Sequence, residues 1–542
     1  MRNFAFSGRG LRWRLLRVIA LVSVFLPQPT GAHLSLIREG LDSAGTPSTN
    51  DRLGTSVATG DFNGDGFDDL AIGIPQDDNS GAEDGQFHGN VVINFGSAFG
   101  LTHVGANYLM FTDDASDNEV RFGHALATGD FNNDGWDDLA VGVPYRDIGA
   151  DADAGEVRVF EGGPGGLDPT PIVFRQPDAG GTNEAGDLFG WSLASGDFDG
   201  NGIADLAIGA VGEDSFAGAV FYILSTDLVG LDPGGAGSGF FKQGQLGQTA
   251  QPNEQFGYAL ATAQLLGDAH SDLAVGAPLD KSSGPIPTGR VTLIPGSVTG
   301  LTATGTVNFN AFELGLVDSA NPHFGFSLAT GRIAHPSGLL GAVDLAIGSP
   351  AFLTSGLQSA GRVVVYQTGP APAISIDLNS VPNATITPGV EDRFGWAVAA
   401  GDLNNNGFDD LMVGSPFKDL GNPVASNTGV VSVFSYSVPN SVFPGSESTT
   451  MDSDWLFDVY RPLGMGYALA FGQFDASPLG EFAIGSPYAD YKTWVDLDLE
   501  PVEDNYVAEA GQVHIYAPHR QVFQLKSRSA TLHDCNGNLF FS

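Results

Sequence analysis

Apolar and polar residues alternate along this chain with a period of two, in short runs separated by glycine-rich and acidic turns. A period of two places successive side chains on opposite faces of a strand, and runs of roughly four to eight residues bounded by Gly, Asp and Asn have strand length. Residues 122–174 show the unit. Phe122-Gly-His-Ala-Leu-Ala-Thr-Gly129 predicts a first strand rich in small residues, and Leu139-Ala-Val-Gly-Val-Pro144 a second, closed by proline. Val157-Arg-Val-Phe160 predicts a third and, after a glycine-rich turn, Pro171-Ile-Val-Phe174 a fourth. Helical periodicity is absent outside the N-terminal segment.

The unit recurs seven times, opening at Leu53-Gly54, Phe122-Gly123, Phe189-Gly190, Phe256-Gly257, Phe324-Gly325, Phe394-Gly395 and Met465-Gly466. Successive opening glycines lie 67 to 71 residues apart, and the second-strand run returns at Ala207-Ile-Gly209, Ala274-Val-Gly276, Ala346-Ile-Gly348, Met412-Val-Gly414 and Ala483-Ile-Gly485. A fixed period means that each repeat is one supersecondary unit burying its apolar faces against its neighbours. Four strands per repeat is the plan of a propeller blade. The chain is therefore expected to be all-β, a seven-bladed β-propeller of four-stranded antiparallel blades over residues 33–518, with the small first-strand residues at the crowded axis. A closed ring needs its last blade completed. Leu34-Ser-Leu-Ile37 stands before the first opening, as a fourth strand stands before each later one, and is the favoured closing strand. Val522-Phe-Gln-Leu525 is the rival.

The N-terminus reads as a signal peptide over residues 1–32. Arg9, Arg12, Arg14 and Arg17 form a basic region, Val18 to Leu26 a short apolar stretch, and Thr30-Gly31-Ala32 a small-residue cleavage site. The apolar stretch is too short to span a bilayer. A secreted or cell-surface protein without a membrane span in its mature chain is expected. The one cysteine, Cys535, falls in the C-terminal tail, 519–542, and cannot pair within the chain.

Composition sharpens this picture in one respect. Hydrophobic residues make up 42%, enough for an extensive core, and 63 acidic residues face 23 basic ones for a formal charge of −40. Nucleic acid and anionic membranes should be repelled. The 75 glycines have no triplet period, which excludes collagen.

Much of the acid is clustered between the first and second strands. In the first repeat the loop is Asp61-Phe-Asn-Gly-Asp-Gly-Phe-Asp-Asp69, with oxygen side chains at positions 1, 3, 5 and 9 (Asp61, Asn63, Asp65, Asp69), glycine at 6 and a main-chain carbonyl available at position 7, Phe67. Calcium is a hard cation taking about six to eight oxygens, and this spacing turns alternate side chains toward one centre. The second loop supplies Asp130, Asn132, Asp134, Trp136 and Asp138, and the third Asp197, Asp199, Asn201, Ile203 and Asp205. The sixth, with Asp402, Asn404, Asn406, Phe408 and Asp410, has one carboxylate fewer and should bind more weakly. An EF-hand would need glutamate at position 12, where Ile72 stands inside a strand. Asp, Asn and Gly also favour plain turns, but four loops in one register argue for metal. The fourth loop (Gln264, Leu266, Asp268), the longer fifth, around Ile333 to Asp344 and lacking acids, and the seventh (Gln473, Asp475, Ser477, Glu481) contrast with these four and are expected to hold no ion.

Phe-Gly openings, Asp-x-Asn-x-Asp-Gly-x-x-Asp loops and Gly-x-Pro closings together resemble FG-GAP repeats, the units of the integrin alpha-subunit propeller. The resemblance covers roughly residues 33–518. It implies calcium in the hairpin loops, about four ions here, and extracellular recognition. It departs from integrins in placing three of the four loops in the first three blades, and in lacking an inserted adhesion domain, a transmembrane helix and leg domains. It also implies an axial aromatic cage. The residues after the opening glycines are Thr55, His124, Trp191, Tyr258, Phe326, Trp396 and Tyr467, equivalent positions that should converge at one end of the axis. In the resemblance such a cage receives a basic side chain of a partner; simple packing would use the same rings. Arg52, Arg121 and Arg393 precede three of the openings and either point outward or suit the rim to an acidic ligand. An extracellular protein or glycan is the expected partner. The alternative is an extracellular propeller hydrolase or lyase with an axial site, although metalloprotease, nucleophile-elbow and phosphate-loop motifs are absent and the ten histidines show no metal spacing. A purely structural surface protein is the third class.

Overall fold

The structure is a computed structural model. It describes residues 33–37, 50–77, 87–102, 107–110, 119–226, 230–232, 234, 237–281, 286–316, 322–333, 343–354, 356–367, 373–377, 379, 388–419, 428–434, 448–452, 464–489, 491–492, 506–507 and 511–517. The expected signal peptide, the C-terminal tail with Cys535, and the rival closing strand at 522–525 lie outside the described residues.

Seven four-stranded antiparallel sheets follow one another along the chain, and in the first six the strands pair in sequence order. The second sheet, for example, consists of Leu126–Gly129, Asp138–Val143, Glu156–Phe160 and Ile172–Phe174. The first strand of every sheet touches the first strands of both neighbours, so the sheets form a ring around an axis: a seven-bladed β-propeller. The seventh blade is composite. Its strands Leu469–Gly472, Glu481–Ser486 and Gln512–Ala517 are completed by His33–Ile37, which pairs antiparallel with Gln512–Ala517 in the register Leu36↔His514 and Ile37↔Val513. The N-terminal strand thus closes the ring, sparing two open edges that would otherwise invite pairing with other chains.

Second strands read as continuous apolar runs because both of their faces are covered: every residue of Asp138–Val143 is buried. The openings Phe122, Phe189, Phe256, Phe324 and Phe394 are fully buried, and they pack between blades, as when Phe122 joins Val91 and Ile93 of the first blade to Leu139 and Val141 of the second. The opening residues themselves mostly precede the first strand rather than belong to it. The reason is local. The residue before each opening takes a left-handed conformation (Arg52, Arg121, Leu188, Gln255, His323, Arg393 and Gly464, φ between 53° and 62°). The opening glycine follows at φ near +90°, 88° for Gly123, which makes a tight turn rather than a strand.

Glycine also fixes how closely blades approach. A Cβ built on Gly142 would fall onto the main-chain carbonyl of Gly190, the next blade's opening glycine, and the same holds for Gly73 on Gly123, Gly209 on Gly257, Gly276 on Gly325, Gly348 on Gly395, Gly414 on Gly466 and, across the closure, Gly485 on Gly54. A third glycine enters each repeat just before the third strand. Gly155 and Gly218 form parallel bridges with the next openings, Phe189 and Phe256.

At the axis the small first-strand residues form a hydroxyl belt. Thr330 Oγ1 donates to the Thr262 carbonyl (2.9 Å), Thr262 to Ser195, Ser195 Oγ to Thr128 (2.6 Å), Thr128 Oγ1 to Thr59 (2.7 Å) and Thr59 Oγ1 to Phe471 (2.7 Å). Five small polar side chains therefore tie six neighbouring blades where larger ones could not fit.

Candidate metal loops and the axial aromatic belt

First and second strands run in opposite directions, so the loop joining them sits at the end of the axis away from the openings. In the first loop the Asp61 carboxylate turns inward, Oδ1 accepting the amides of Gly64 (2.8 Å) and Asp65 (3.1 Å) and Oδ2 that of Gly66 (2.9 Å). Asn63 Oδ1 accepts from Asp65 (2.8 Å) and Asp65 Oδ1 from Phe67 (3.0 Å). The second loop repeats this with Asp130 on Asp134 and Gly135, Asn132 on Asp134, and Asp134 on Trp136. The third does so with Asp197 on Gly200, Asn201 and Gly202, Asp199 on Asn201, and Asn201 on Ile203. Each side-chain oxygen thus has its direction set by an amide two to five residues ahead.

The third loop is closest to a coordination shell. Asp197, Asp199 and Asp205 present oxygens that all lie within 4.8 Å of one another, about twice a calcium–oxygen bond length. The sixth loop is looser. Asp402 accepts from Asn406 (3.0 Å) and Gly407 (2.7 Å), and Asn406 from Phe408 (2.8 Å), but the Asn404 amide nitrogen turns to Asp410 (3.2 and 3.3 Å). That orientation offers the centre a donor where an acceptor was expected.

Position 9 carries a second duty. Asp69 Oδ2 accepts the amide of Phe62 (3.0 Å) and Oδ1 that of Gly96 (2.8 Å) in the turn after the third strand. Asp138 and Asp205 do the same for Phe131 and Gly162, and for Phe198 and Ser225. Blades with glutamine at position 1 keep this acid too. Asp272 accepts from Leu265, Leu266 and Gly296, and Glu481 from Phe474. The acid at position 9 is thus a staple of the fold as well as a potential ligand. Burial pushes Asp69, Asp138 and Asp205 up to about 7; the amides work against this shift and neighbouring loop carboxylates add to it. Three loops therefore hold clustered carboxylates that a cation would relieve.

Glutamine at position 1 shows how a loop manages without one. The Gln473 side-chain nitrogen donates to the carbonyls of Asp475 (3.2 Å), Ser477 and Leu479 (3.1 Å), and the Gln264 nitrogen to Ala269 (3.1 Å). In these two loops a side-chain amide donor bonds main-chain carbonyls across the turn, one of them, that of Leu479, being the position-7 carbonyl expected to face a metal in the other loops. Most of the fifth loop lies outside the described residues.

At the other end of the axis the six predicted aromatic side chains meet. Centroid distances run His124–Trp191 4.6 Å, Trp191–Tyr258 5.8 Å, Tyr258–Phe326 4.9 Å, Phe326–Trp396 4.7 Å and Trp396–Tyr467 5.3 Å, with rings tilted by 42° to 50°. The belt is half-buried and is broken only at Thr55, whose Oγ1 bonds the Arg52 carbonyl (2.8 Å). The three arginines do not simply point outward. Arg121 lies 4.2 Å over Tyr145, Arg52 5.1 Å over Tyr488, and Arg393 between Trp396 (5.5 Å) and Phe417 (5.0 Å). Tyr145, Phe417 and Tyr488 follow the second-strand prolines and form an outer tier, missed in the sequence although the same position carries an aromatic in three repeats. Burial, with Arg121 beside it, pushes His124 down to about 4, so the ring is neutral at ordinary pH.

The FG-GAP repeat family matches residues 53–88, 122–160, 189–223 and 394–434, the four blades with oxygen-rich loops. The chain is 36% identical over 169 residues to Integrin alpha-5 of Xenopus laevis, covering 30% of this chain and 15% of that one. It is 32% identical over 232 residues to Integrin alpha-PS2 of Drosophila melanogaster, covering 42% and 15%. With Phosphatidylinositol-glycan-specific phospholipase D of Rattus norvegicus it shares 34% over 165 residues, covering 29% and 18%. The chain thus carries FG-GAP repeats and is similar to integrin alpha chains, while the matches cover 15–18% of these relatives' lengths. No helix among the described residues is long and apolar enough to cross a membrane.

Proposed function

We propose that this chain is a secreted or cell-surface calcium-binding propeller that recognises an extracellular protein or glycan and is not itself an enzyme. Residues 1–32 act as the signal peptide, 33–518 as the propeller and 519–542 as a tail. The observation that carries the calcium reading is the repeated inward turning of Asp61, Asp130, Asp197 and Asp402 with their partners at positions 3, 5 and 9. About four ions bind, the sixth-blade site most weakly because Asn404 turns toward Asp410. Calcium stiffens these loops rather than creating the fold, since Gln264 and Gln473 hold theirs without it.

The ligand face is the aromatic belt of His124, Trp191, Tyr258, Phe326, Trp396 and Tyr467. The integrin alpha chains it resembles support an adhesion-type role. Arg52, Arg121 and Arg393 already occupy the outer rings, so the rim favours a partner with an acidic group over one inserting a cation. One preparation tests both halves. Calorimetry should count about four calcium ions, Asp61→Ala, Asp130→Ala and Asp197→Ala should each remove one, and calcium should raise Tm by linkage. Trp191→Ala with Trp396→Ala should abolish capture of surface partners while leaving calcium-dependent melting intact. Absent binding with unchanged melting on chelation would reduce the loops to turns, and full capture by the double variant would move the interface elsewhere. The phospholipase D similarity favours the enzyme alternative; turnover of a glycosidase, lyase or esterase substrate, or of a phospholipid, would establish it.

A further inference from the structure

The loops are linked around the ring through position 8. Its amide donates to the position-1 carbonyl of the preceding blade: Asp137 to Asp61 (3.2 Å), Ala204 to Asp130 (3.2 Å), Ser271 to Asp197 (2.8 Å), Asp409 to Arg332 (3.2 Å) and, across the closure, Asp68 to Gln473 (2.9 Å). Where position 8 is aspartate, its carboxylate also accepts the amide of that same position-1 residue. Asp137 accepts from Asp61 (2.9 Å), Asp68 from Gln473 (2.7 Å) and Asp409 from Arg332 (2.7 Å). Of these three two-point clamps, one alone grips a residue with a carboxylate side chain at position 1, that of Asp137 on Asp61.

We propose that Asp137, contributed by the second blade, is a positioning residue for the metal site of the first. The inference rests on the reading of these loops as calcium sites. Asp61 aims both carboxylate oxygens inward, and that aim depends on where its backbone is held. Asp137 holds the backbone from both sides, at N–H and C=O. Trp136 adds a second restraint, because its indole lies over Gly64, where any Cβ would collide with it. Both residues belong to the second loop's own set, since Asp137 sits between the position-7 residue Trp136 and the position-9 acid Asp138. Closure of the second loop therefore bears directly on the first. The second and third sites lack this grip, because Ala204 and Ser271 have no carboxylate to return the bond.

Outer partners that orient a ligand typically change metal affinity by about 10- to 100-fold when removed. The test uses the full chain with Asp130→Asn, which keeps an acceptor for the amides that close the second loop, and with Asp197→Ala and Asp402→Ala, leaving the first-blade loop as the one with a carboxylate at position 1. Calcium affinity is read by calorimetry, and terbium binding by luminescence sensitised through Trp136. In this parent, Asp137→Ala should weaken binding about 10-fold or more. Asp137→Asn keeps an oxygen acceptor for the Asp61 amide and should stay within about threefold of the parent, far less than a lost orienting partner. Circular dichroism melting without metal checks that both variants fold. Unchanged affinity in Asp137→Ala overturns the proposal. Equal loss in Asp137→Asn also overturns it, because the carboxylate would then act by charge alone. A parent that binds neither ion instead overturns the calcium reading on which the proposal stands, a result separable from the other two.

Discussion

At the scale of single residues, glycines do two different jobs that the sequence does not separate. Gly142 sits where a methyl group would meet the next blade's backbone, whereas Gly165 has no atom within 4 Å of its would-be Cβ. Gly142→Ala must push two blades apart, and overpacking of this kind costs about 3 kcal/mol. Gly165→Ala should stay within about 0.5 kcal/mol. Thermal melting of the two variants side by side measures the difference, and equal Tm values would mean that blade spacing is not set by glycine contact. The opening and closing glycines were legible because they recur beside aromatic and proline residues. The glycine before each third strand, Gly155 for example, recurs as regularly but stands alone beside variable loops. Its partner, Phe189, lies in the next repeat, so no local pattern reveals what it is for. Asp137 was hidden for the same reason: within its own loop it is one more acid, and its role appears only across the blade boundary.

At the scale of the element, a loop acid can serve the metal, the fold or both. Asp272 stands in a blade without the full oxygen set, is fully buried and satisfies three amides. Asp272→Ala would leave those amides unpaired, at a cost of about 3 kcal/mol or more, and that loss should be the same with calcium or with chelator. Asp134 is exposed and bonds one amide, that of Trp136. Asp134→Asn keeps that acceptor, so it should leave metal-free melting almost unchanged while reducing the calcium-induced rise in Tm. Chemical denaturation with and without calcium separates the two behaviours; a calcium-dependent loss in Asp272→Ala would contradict the assignment of position 9 as a staple. The oxygen spacing at positions 1, 3 and 5 could be read directly, because alternate side chains in a tight loop face one side. The double use of position 9 could not, since its amide partners, Phe62 and Gly96 in the first blade, are separated by two whole strands. The glutamine substitution at position 1 was visible as a missing ligand, but not as the donor that replaces one.

For the molecule as a whole, stability depends on one non-covalent seam, the pairing of His33–Ile37 with Gln512–Ala517. The repeat count predicted a ring, and the apolar run before the first opening predicted which terminus closes it. What the repeats could not show is that the seam contains a titratable group. His514 is fully buried between Ile484 and Leu36 in the strand register, and neither ring nitrogen has a hydrogen-bond partner among the described residues. Burial alone pushes its pKa down from 6.5 to about 4. The folded chain therefore demands the neutral ring, while the unfolded chain protonates near its ordinary value. The stability this group contributes is complete above pH 6.5 and is lost as pH falls toward 4, a span worth up to about 3 kcal/mol. The raised loop acids, Asp69, Asp138 and Asp205, act in the opposite direction throughout that range, so a bare melting curve against pH mixes the two. His514→Leu isolates the seam. It should leave Tm at pH 7 nearly as before and should lose less stability than the parent between pH 6.5 and 4.5, with chelator present so that calcium release does not contribute. Parallel pH profiles for the two proteins would show that His514 does not set the acid limit of the ring. A smaller loss in the variant, together with faster amide exchange in Gln512–Ala517 than in the other third strands at pH 4.5, would place the first opening of the propeller at its seam.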